Sequence, residues 1–324
     1  MTQIIRIRQH GGPDALQVEE SEVGQPKEGE VLIRHDAIGV NFVDTMIRDG
    51  KYPVPLPVIP GFEGAGVITA VGPGVKGYAV GDRAGYFFSI GAYASERVIP
   101  ASDLIKLPDD LCTVNAATFL AKGFTAWMGL RALHQLRSGE VVLVQGASGG
   151  VGSILSRWAK ALGATVIGVA GSQEKLAKVR AGAHHALYSG DPAFLDKVRE
   201  IAPQGADVVF DLVGQHTWSL SLGAIRDGGE IIAIGAASGQ PNVDGALLER
   251  RAISVKGGGV PQFVNMRTVG AASAELFDAI RSGTFADIDA VHFELREAAA
   301  AHRAIEKRTL QGLPVLIPPL ATRC

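Results

Sequence analysis

Glu140-Val-Val-Leu-Val-Gln-Gly-Ala-Ser-Gly-Gly-Val-Gly152 is the stretch whose reading decides the fold. Val141, Val142, Leu143 and Val144 form an unbroken, mostly β-branched apolar run, the pattern of a parallel strand buried on both faces. The run enters a glycine-dense turn, after which Ile154-Leu155, Trp158-Ala159 and Leu162 recur at helical spacing. In this strand–turn–helix, Ala147, Gly149 and Gly152 hold the three positions of G-x-G-x-x-G. A glycine at 149 lets backbone approach a pyrophosphate, and one at 152 lets the helix pack tightly on its strand. The helix start offers free N–H groups and a positive dipole end to phosphates. A glycine pattern alone is weak evidence, and a tight turn without a ligand is the alternative. Here the preceding strand, the following helix and a second strand over 165–170 supply the required context. Ala147, Ser148, Gly149, Gly150, Val151 and Gly152 are therefore the candidate dinucleotide cradle.

The end of that second strand sorts the cofactor. Where NAD is bound, an acidic residue about 20 residues on meets the ribose 2′-hydroxyl. In this chain the strand ends Val169-Ala170-Gly171-Ser172, with no acid before Glu174. Without a carboxylate to repel a 2′-phosphate, Ser172 and Lys175 are placed to bind one, and NADPH is expected over NADH. The alternative for Lys175 is a solvated residue in the first turn of a helix.

Working outward, residues 1 to about 110 contain short strands (Ile5/Ile7, Val31/Ile33, Val67–Val71) between turns such as Gly11-Gly12-Pro13, Gly72-Pro73-Gly74 and Gly81-Asp82. Closely spaced turns without helical periodicity suggest a partly closed β-barrel. Tyr52-Pro-Val-Pro-Leu-Pro-Val-Ile-Pro60 reads as a stiff, extended crossing loop. Asp109-Asp110 can start a helix, and Phe124 to Leu133 carries helical periodicity. From Val141, strands at 141–145, 165–170, 186–188, 207–211, 230–234 and 253–256 alternate with helices at 150–162, 173–181, 192–201 and 217–225. That alternation implies a parallel, doubly wound sheet with its ligand at the strands' carboxyl ends. Helices near 271–282 and 296–306 and a strand over 313–317 exceed a six-stranded sheet, so they are expected to return to the first domain.

The 324 residues exceed a usual single core, so two domains are expected. A net charge of −2 gives no electrostatic footprint for nucleic acid or anionic membrane. Cys112 and Cys324, the two cysteines, make neither a disulfide framework nor a zinc site. The N-terminus alternates like a strand rather than a signal peptide, and no apolar run is long enough for a membrane span. A cytoplasmic protein is expected.

These residues resemble the zinc-independent quinone oxidoreductases (zeta-crystallin-like) of the medium-chain dehydrogenase/reductase superfamily, over essentially the whole chain. Gly61-Phe-Glu-Gly-Ala-Gly66 stands where zinc alcohol dehydrogenases carry G-H-E, and Val71 to Arg83 is similar to the superfamily's barrel hairpin. The family signature is matched at Gly139, Glu140, Leu143, Ala147 to Gly150, Gly152 and Lys160, and departs at Arg157, where the family has Gln. The resemblance implies an α/β fold, a GroES-like partly open β-barrel domain (1–122 and 261–324) plus a doubly wound Rossmann domain (123–260). The three catalytic-zinc positions align with Asn41, Phe62 and Lys122, none suited to a borderline-soft dication, so no metal is expected. Without a Lewis acid to polarise a simple ketone, the acceptor should be one that takes hydride readily, such as a quinone or a conjugated carbonyl.

The resemblance also places residues. Asn41 should lie by the nicotinamide ribose, a turn-capping Asn being the alternative. Tyr52 should border the substrate, as contact or proton donor, and both Asn41 and Tyr52 are catalytic candidates. Met46 stands where the quinone branch often has an aromatic, and Phe263 is a further substrate-pocket candidate against a core-packing reading. Glu63 is expected as a buried structural carboxylate. Tyr188 is expected by the adenosine phosphate, although relatives place the tyrosine one residue later. Gly214, Gly235 and Ser238 follow strand ends on the nicotinamide side. Arg308 is the nearest basic candidate for the pyrophosphate, with a surface arginine as the alternative. The family further implies a homodimer through the sheet edge near 230–256. Rivals are an enone, enal or enoyl-thioester reductase and, outside enzymes, a crystallin-like structural protein or an RNA-binding protein, the charge balance opposing RNA.

Overall fold

The computed structural model describes residues 1–235, 237–319 and 321; Cys324 lies outside the described residues. Its contacts divide the chain into two compact units, Met1–Ala121 with the segment from Ile288 onward, and Lys122–Asp287.

In the first unit the alternating N-terminus forms β1 (Thr2–Ile7), which pairs antiparallel with β2 (Leu16–Ser21). Next come β3 (Glu30–Gly39), α1 (Phe42–Arg48), β4 (Glu63–Val71), β5 (Arg83–Tyr86), β6 (Glu96–Pro100) and β7 (Ile105–Lys106). The ten-residue β3 is the hub, antiparallel to β4 along most of its length and to β6 along its first half. Its Val31 and Ile33 alternate inward to the core beside Ile5, Ile7, Ile38, Ile47 and Ile68. Two breaks in the β3–β4 register bend the pair. The proline loop forms neither helix nor strand and touches β1 by one bridge, Ile7 to Val58.

Asp109-Asp110 lie in a turn, and the helix they were expected to start, α2 (Thr113–Trp127), begins at Thr113. The division between the units falls inside α2. A wider helical turn, Met128–Leu133, extends it. In the second unit, β8 (Val141–Gln145), α3 (Gly150–Ala161), β9 (Thr165–Ala170), α4 (Leu176–Gly182), β10 (His185–Tyr188), α5 (Phe194–Ile201), β11 (Ala206–Asp211), α6 (Trp218–Ala224), β12 (Ile225–Ala233), α7 (Gly245–Arg250) and β13 (Ser254–Gly257) follow in strict alternation. All pairings are parallel in the order β10-β9-β8-β11-β12-β13. The chain thus winds outward one way from β8 and then the other, the doubly wound order whose reversal beside β8 opens a ligand crevice. Val142, Leu143 and Val144 are fully buried, as their apolar run required.

After α8 (Val260–Phe263) comes α9 (Val269–Arg281). The sequence-based boundary at 260/261 differs from the division in the structure, which keeps 261–287 with the second unit. Three of its residues hold it there. Leu276 packs so closely on Gly123 that a Cβ at 123 would lie 2.5 Å from it. Glu275 accepts from Trp127 Nε1 (3.1 Å) and Arg131 Nε (2.9 Å), and Asp287 binds the Arg157 guanidinium through both oxygens at 2.6 and 2.5 Å. Back in the first unit, β14 (Ala290–Glu294), α10 (Ala298–Glu306) and β15 (Leu313–Ile317) follow, with β15 parallel to β14 and antiparallel to β3. Among the described residues, no helix is long and apolar enough to cross a membrane.

Candidate functional site

The glycine turn of the second unit is shaped by contacts that exclude side chains. A Cβ on Gly152 would sit 2.2 Å from the Gly146 carbonyl oxygen, so residue 152 must be glycine for α3 to start this close to the end of β8. Gly146 has φ +75, in the left-handed region that glycine favours. The Gly149 N–H donates to Gly146 O (2.9 Å), and Ser153 N–H makes the first intrahelical bond, to Gly149 O (2.9 Å). The N–H groups of Gly150, Val151 and Gly152 therefore have no place in the helical ladder, and no side chain caps them from Gly149. Gly149 is exposed, and around Gly171 a Cβ would meet nothing within 4 Å. Open backbone at two adjacent strand ends and free donors at a helix start are what a bound pyrophosphate and ribose need. Ala147 is buried and donates its N–H to Val169 O (3.0 Å), locking the turn to β9, while Ser148 is half-buried beside it. Gly168, which the sequence reading passed over, completes the packing, since a Cβ there would lie 2.4 Å from Val179 and 3.1 Å from Ala147.

The parallel register brings the other second-unit candidates to the same sheet edge. Tyr188 pairs with Ala170, next to Gly171 and Ser172. Its ring folds over Gly190, where a Cβ would lie 2.4 Å from the hydroxyl. Gly214 (φ +97) and Gly235 follow β11 and β12, and Gly235 is forced because a Cβ would lie 2.1 Å from Leu212 O. Buried Asp211 organises this loop, accepting from Val213 N, Gly214 N, Thr217 Oγ1 and Ser221 Oγ at 2.7–3.0 Å. The Ser238 hydroxyl donates to Val213 O (2.8 Å) and accepts from His216 N (3.0 Å), tying the two loops together. Phe263 is half-buried against Gly258. Near the end of β9 the structure adds a residue the sequence reading had set aside. The Ser172 hydroxyl bonds the Glu174 carboxylate, and that bond, with Lys175 nearby, holds Glu174 below the usual carboxylate range.

In the first unit, Asn41 follows β3 and precedes α1, its N–H donating to Asp44 Oδ2 (2.8 Å) as a helix-start bond. Its Nδ2 donates to Glu63 Oε2 (2.9 Å), and Glu63 Oε1 accepts the Ala121 N–H (2.7 Å). Glu63 is fully buried, as expected of a structural carboxylate. Gly39 makes room for it, since a Cβ there would lie 2.2 Å from Oε2. Met46 is half-buried, and its carbonyl accepts the Tyr52 N–H (3.0 Å). The Tyr52 ring stands edge-on to Phe62 at 6.1 Å. Arg308 is exposed, with φ +55 in the turn that closes α10. The sequence reading missed the stack of Phe62 on Phe88 (5.3 Å, 25°).

The residues do not fit zinc. Phe62 has no donor atom, the Asn41 amide is turned to Glu63 as a hydrogen-bond donor, and Lys122 is an ammonium. Among the described residues, no group of three or more His, Cys, Asp or Glu side chains could hold a metal ion.

A doubly wound nucleotide-binding unit joined to a mostly antiparallel barrel-type unit defines the class of medium-chain oxidoreductases. Residues 27–109 match the alcohol dehydrogenase GroES-like domain, and residues 150–274 match the family described as zinc-binding dehydrogenase. A 2-haloacrylate reductase from Burkholderia sp. is 40% identical, over 96% of this chain and 98% of that protein. Quinone oxidoreductase 1 from Escherichia coli is 36% identical, over 97% and 99%. The crystal structure of Escherichia coli quinone oxidoreductase complexed with NADPH superposes with a TM-score of 0.92 at 35% identity, covering 98% of this chain and all of the other. The chain belongs to the quinone oxidoreductase family of the medium-chain dehydrogenases/reductases.

Proposed function

We propose that this protein is an NADPH-dependent, zinc-independent quinone oxidoreductase. The observation that carries the reading is position 62, where the zinc dehydrogenases place a ligand and this chain packs a phenylalanine among other aromatic rings. When bound, NADPH supplies a hydride. The chain's part is to bind and orient. Gly150, Val151 and Gly152 offer N–H groups to the pyrophosphate from the start of α3, with Ala147, Ser148 and Gly149 shaping the turn. Gly171, Ser172 and Lys175 receive the 2′-phosphorylated ribose, with Tyr188 beside it. Gly214 and Gly235 let the loops after β11 and β12 pack closely on the other side of the switch point. Ser238 acts through its bonds to the loop after β11, and Arg308, exposed in the turn that closes α10, is the basic candidate for the pyrophosphate, with a surface arginine as the alternative. Asn41, fixed by Glu63, and Tyr52 border the acceptor in the first unit, with Met46 as a further pocket residue there, and Phe263 is the second unit's own pocket candidate. We also assign a cytoplasmic homodimer joined along the β13 edge, a reading that rests on the family likeness; a monomer by light scattering would overturn that assembly.

The test is NADPH consumption, beside NADH, with 1,4-naphthoquinone or a conjugated enal as acceptor, each with and without chelator. Chelator-insensitive, NADPH-preferring turnover of the quinone is expected. Turnover restricted to the enal would move the assignment to an enal or enoyl reductase. That second reading is favoured by the similarity to a 2-haloacrylate reductase and by Tyr52. The residue is 37% exposed, and its hydroxyl makes no hydrogen bond among the described residues, which leaves the hydroxyl open to a substrate. Loss of enal turnover in Tyr52→Phe, with NADPH binding kept, would support that reading.

A further inference from the structure

Phe88 has two properties that seldom occur together. It is a bulky residue in the left-handed region, at φ +60, and it is 40% exposed. Such a backbone costs free energy for a side chain of this size, and it persists only where its surroundings over-determine it. Here they do. Ser89 N–H reaches Phe62 O (3.4 Å), and Arg97 Nη1 donates to Ser89 O (2.9 Å). The Ser89 hydroxyl donates to Asp103 (3.0 Å), and Gly91 N–H bonds Gly61 O (3.0 Å). The strain is not repaid by burying the ring in the core. Instead the loop presents the Phe88 ring stacked on the largely buried Phe62, with Tyr52 edge-on to Phe62 on its other contact. Phe87 in turn meets Phe88 edge-on at 6.1 Å. Phe62 directly precedes Glu63, whose carboxylate holds the Asn41 amide.

We propose that Phe62, Phe88 and Tyr52 form an aromatic shelf that takes the flat face of a fused-ring quinone, with Phe88 the residue that sets this preference. The inference rests on the quinone reductase reading and names the substrate class within it. Quinone rings are planar and electron-poor, and the faces of phenyl rings are electron-rich, so the two stack face to face with offset. A fused bicyclic quinone can cover more of the shelf than a monocyclic one, and a short enal has no ring to stack. Met46 leaves its position without an aromatic, and the Phe62–Phe88 pair supplies one from a different loop.

The test compares KM and kcat for 1,4-naphthoquinone and 1,4-benzoquinone at saturating NADPH in wild type, Phe88→Gly, Phe88→Leu and Phe88→Tyr. Calorimetric binding of 1,4-naphthoquinone to the NADP+-loaded protein is measured beside them. Phe88→Gly removes the ring while suiting φ +60, so the fold is kept. Expected are a rise of roughly 5- to 10-fold in KM and Kd for naphthoquinone in the Gly and Leu variants, the scale of one aromatic stacking contact. Benzoquinone should change less than about two-fold, kcat should stay near wild type, and Tyr should restore binding. An unchanged naphthoquinone-to-benzoquinone ratio would overturn the shelf, as would a Leu variant that behaves like wild type. So would a change of oligomeric state in Phe88→Gly, which would make the rings a protein interface. If wild type turns over no quinone, the functional reading fails, and the binding arm still decides the shelf. Weaker naphthoquinone binding in Phe88→Gly would uphold it as a ligand site, and unchanged binding would sink it.

Discussion

Mild acid should destabilise this protein through two buried imidazoles. His35 and His302 are both fully buried in the first unit. His35 Nδ1–H donates to Ala94 O (2.7 Å), so its Nε2 accepts from the Tyr86 hydroxyl (2.8 Å). Arg48 Nη1 donates to His302 Nδ1 (3.3 Å), so His302 Nε2–H donates to the Tyr93 hydroxyl (2.9 Å), which donates on to Asp44 (3.2 Å). Each ring is thus held neutral with both nitrogens used, and a second proton has nowhere favourable to go. Burial pushes His35 down to about 4, with Arg97 adding to the fall, and pushes His302 down to about 3, with Arg48 adding to it, both from 6.5. Because the folded values are depressed, the unfolded chain binds protons that the native state refuses. Stability is therefore full above pH 6.5 and falls as pH drops toward the folded values. Between pH 7.5 and 5 each histidine should cost about 2 kcal/mol, about 4 kcal/mol together, a large share of the stability of a typical domain. The carboxylates held low by ion pairs titrate below this window, and His184, which burial and Lys160 also hold below its usual range, adds to the slope in the same direction. The assay is chemical unfolding at pH 5, 6 and 7.5, for wild type and His302→Gln, whose amide can still accept from Arg48 and donate to Tyr93. The variant should lose about half of the pH dependence. A wild-type change below about 1 kcal/mol, or an undiminished slope in His302→Gln, would refute the reasoning.

Gly152→Ala puts a methyl group 2.2 Å from the Gly146 carbonyl oxygen, so α3 must shift from its turn; NADPH affinity by fluorescence titration should fall at least about ten-fold, and unchanged binding would mean the turn is not the cradle. Glu174→Gln removes a carboxylate that competes for Ser172, and the Kd for NADPH should fall about three-fold with NADH little affected; equal effects on both would detach Ser172 from the 2′-phosphate. Arg157→Ala breaks a bidentate pair with a half-exposed carboxylate and should cost about 1 kcal/mol by thermal unfolding. The Arg157 guanidinium holds Asp287 below its usual range, so the pair's contribution is present above the unfolded value near 3.8 and is lost as pH falls through the lower folded one; a variant as stable as wild type at pH 7 would show that the pair is inert.

The second unit was legible in the sequence because its signals are local. A parallel strand covered on both faces must be apolar throughout, so Val141–Val144 and Thr165–Ala170 stand out without reference to any partner. The chain reversal beside β8 needs glycine for steric reasons confined to residues 146–152, and the residues themselves record that need. The sequence likewise determined which side-chain types stand at 41, 62 and 122, an amide, a phenyl ring and an amine, since residue identity does not depend on the fold.

What the tertiary structure alone decided concerns partners distant in sequence. That α9 belongs with the second unit depends on Glu275 meeting Trp127 and Arg131, and on Asp287 meeting Arg157 across 130 residues. The periodicity of a helix says that it has a buried face and never which neighbour buries it. Ser172 and Glu174 are two residues apart, yet their bond depends on the short helical turn after β9, where the list of charges showed only an acid arriving late. Phe88 gave no sign in the sequence of its left-handed backbone, because the strain is imposed by Arg97, Asp103 and the Gly61–Phe62 carbonyls folded around it. Composition and pattern fix what each segment can bury; the closed set of contacts fixes which polar atoms are already spent and which faces are left for a ligand.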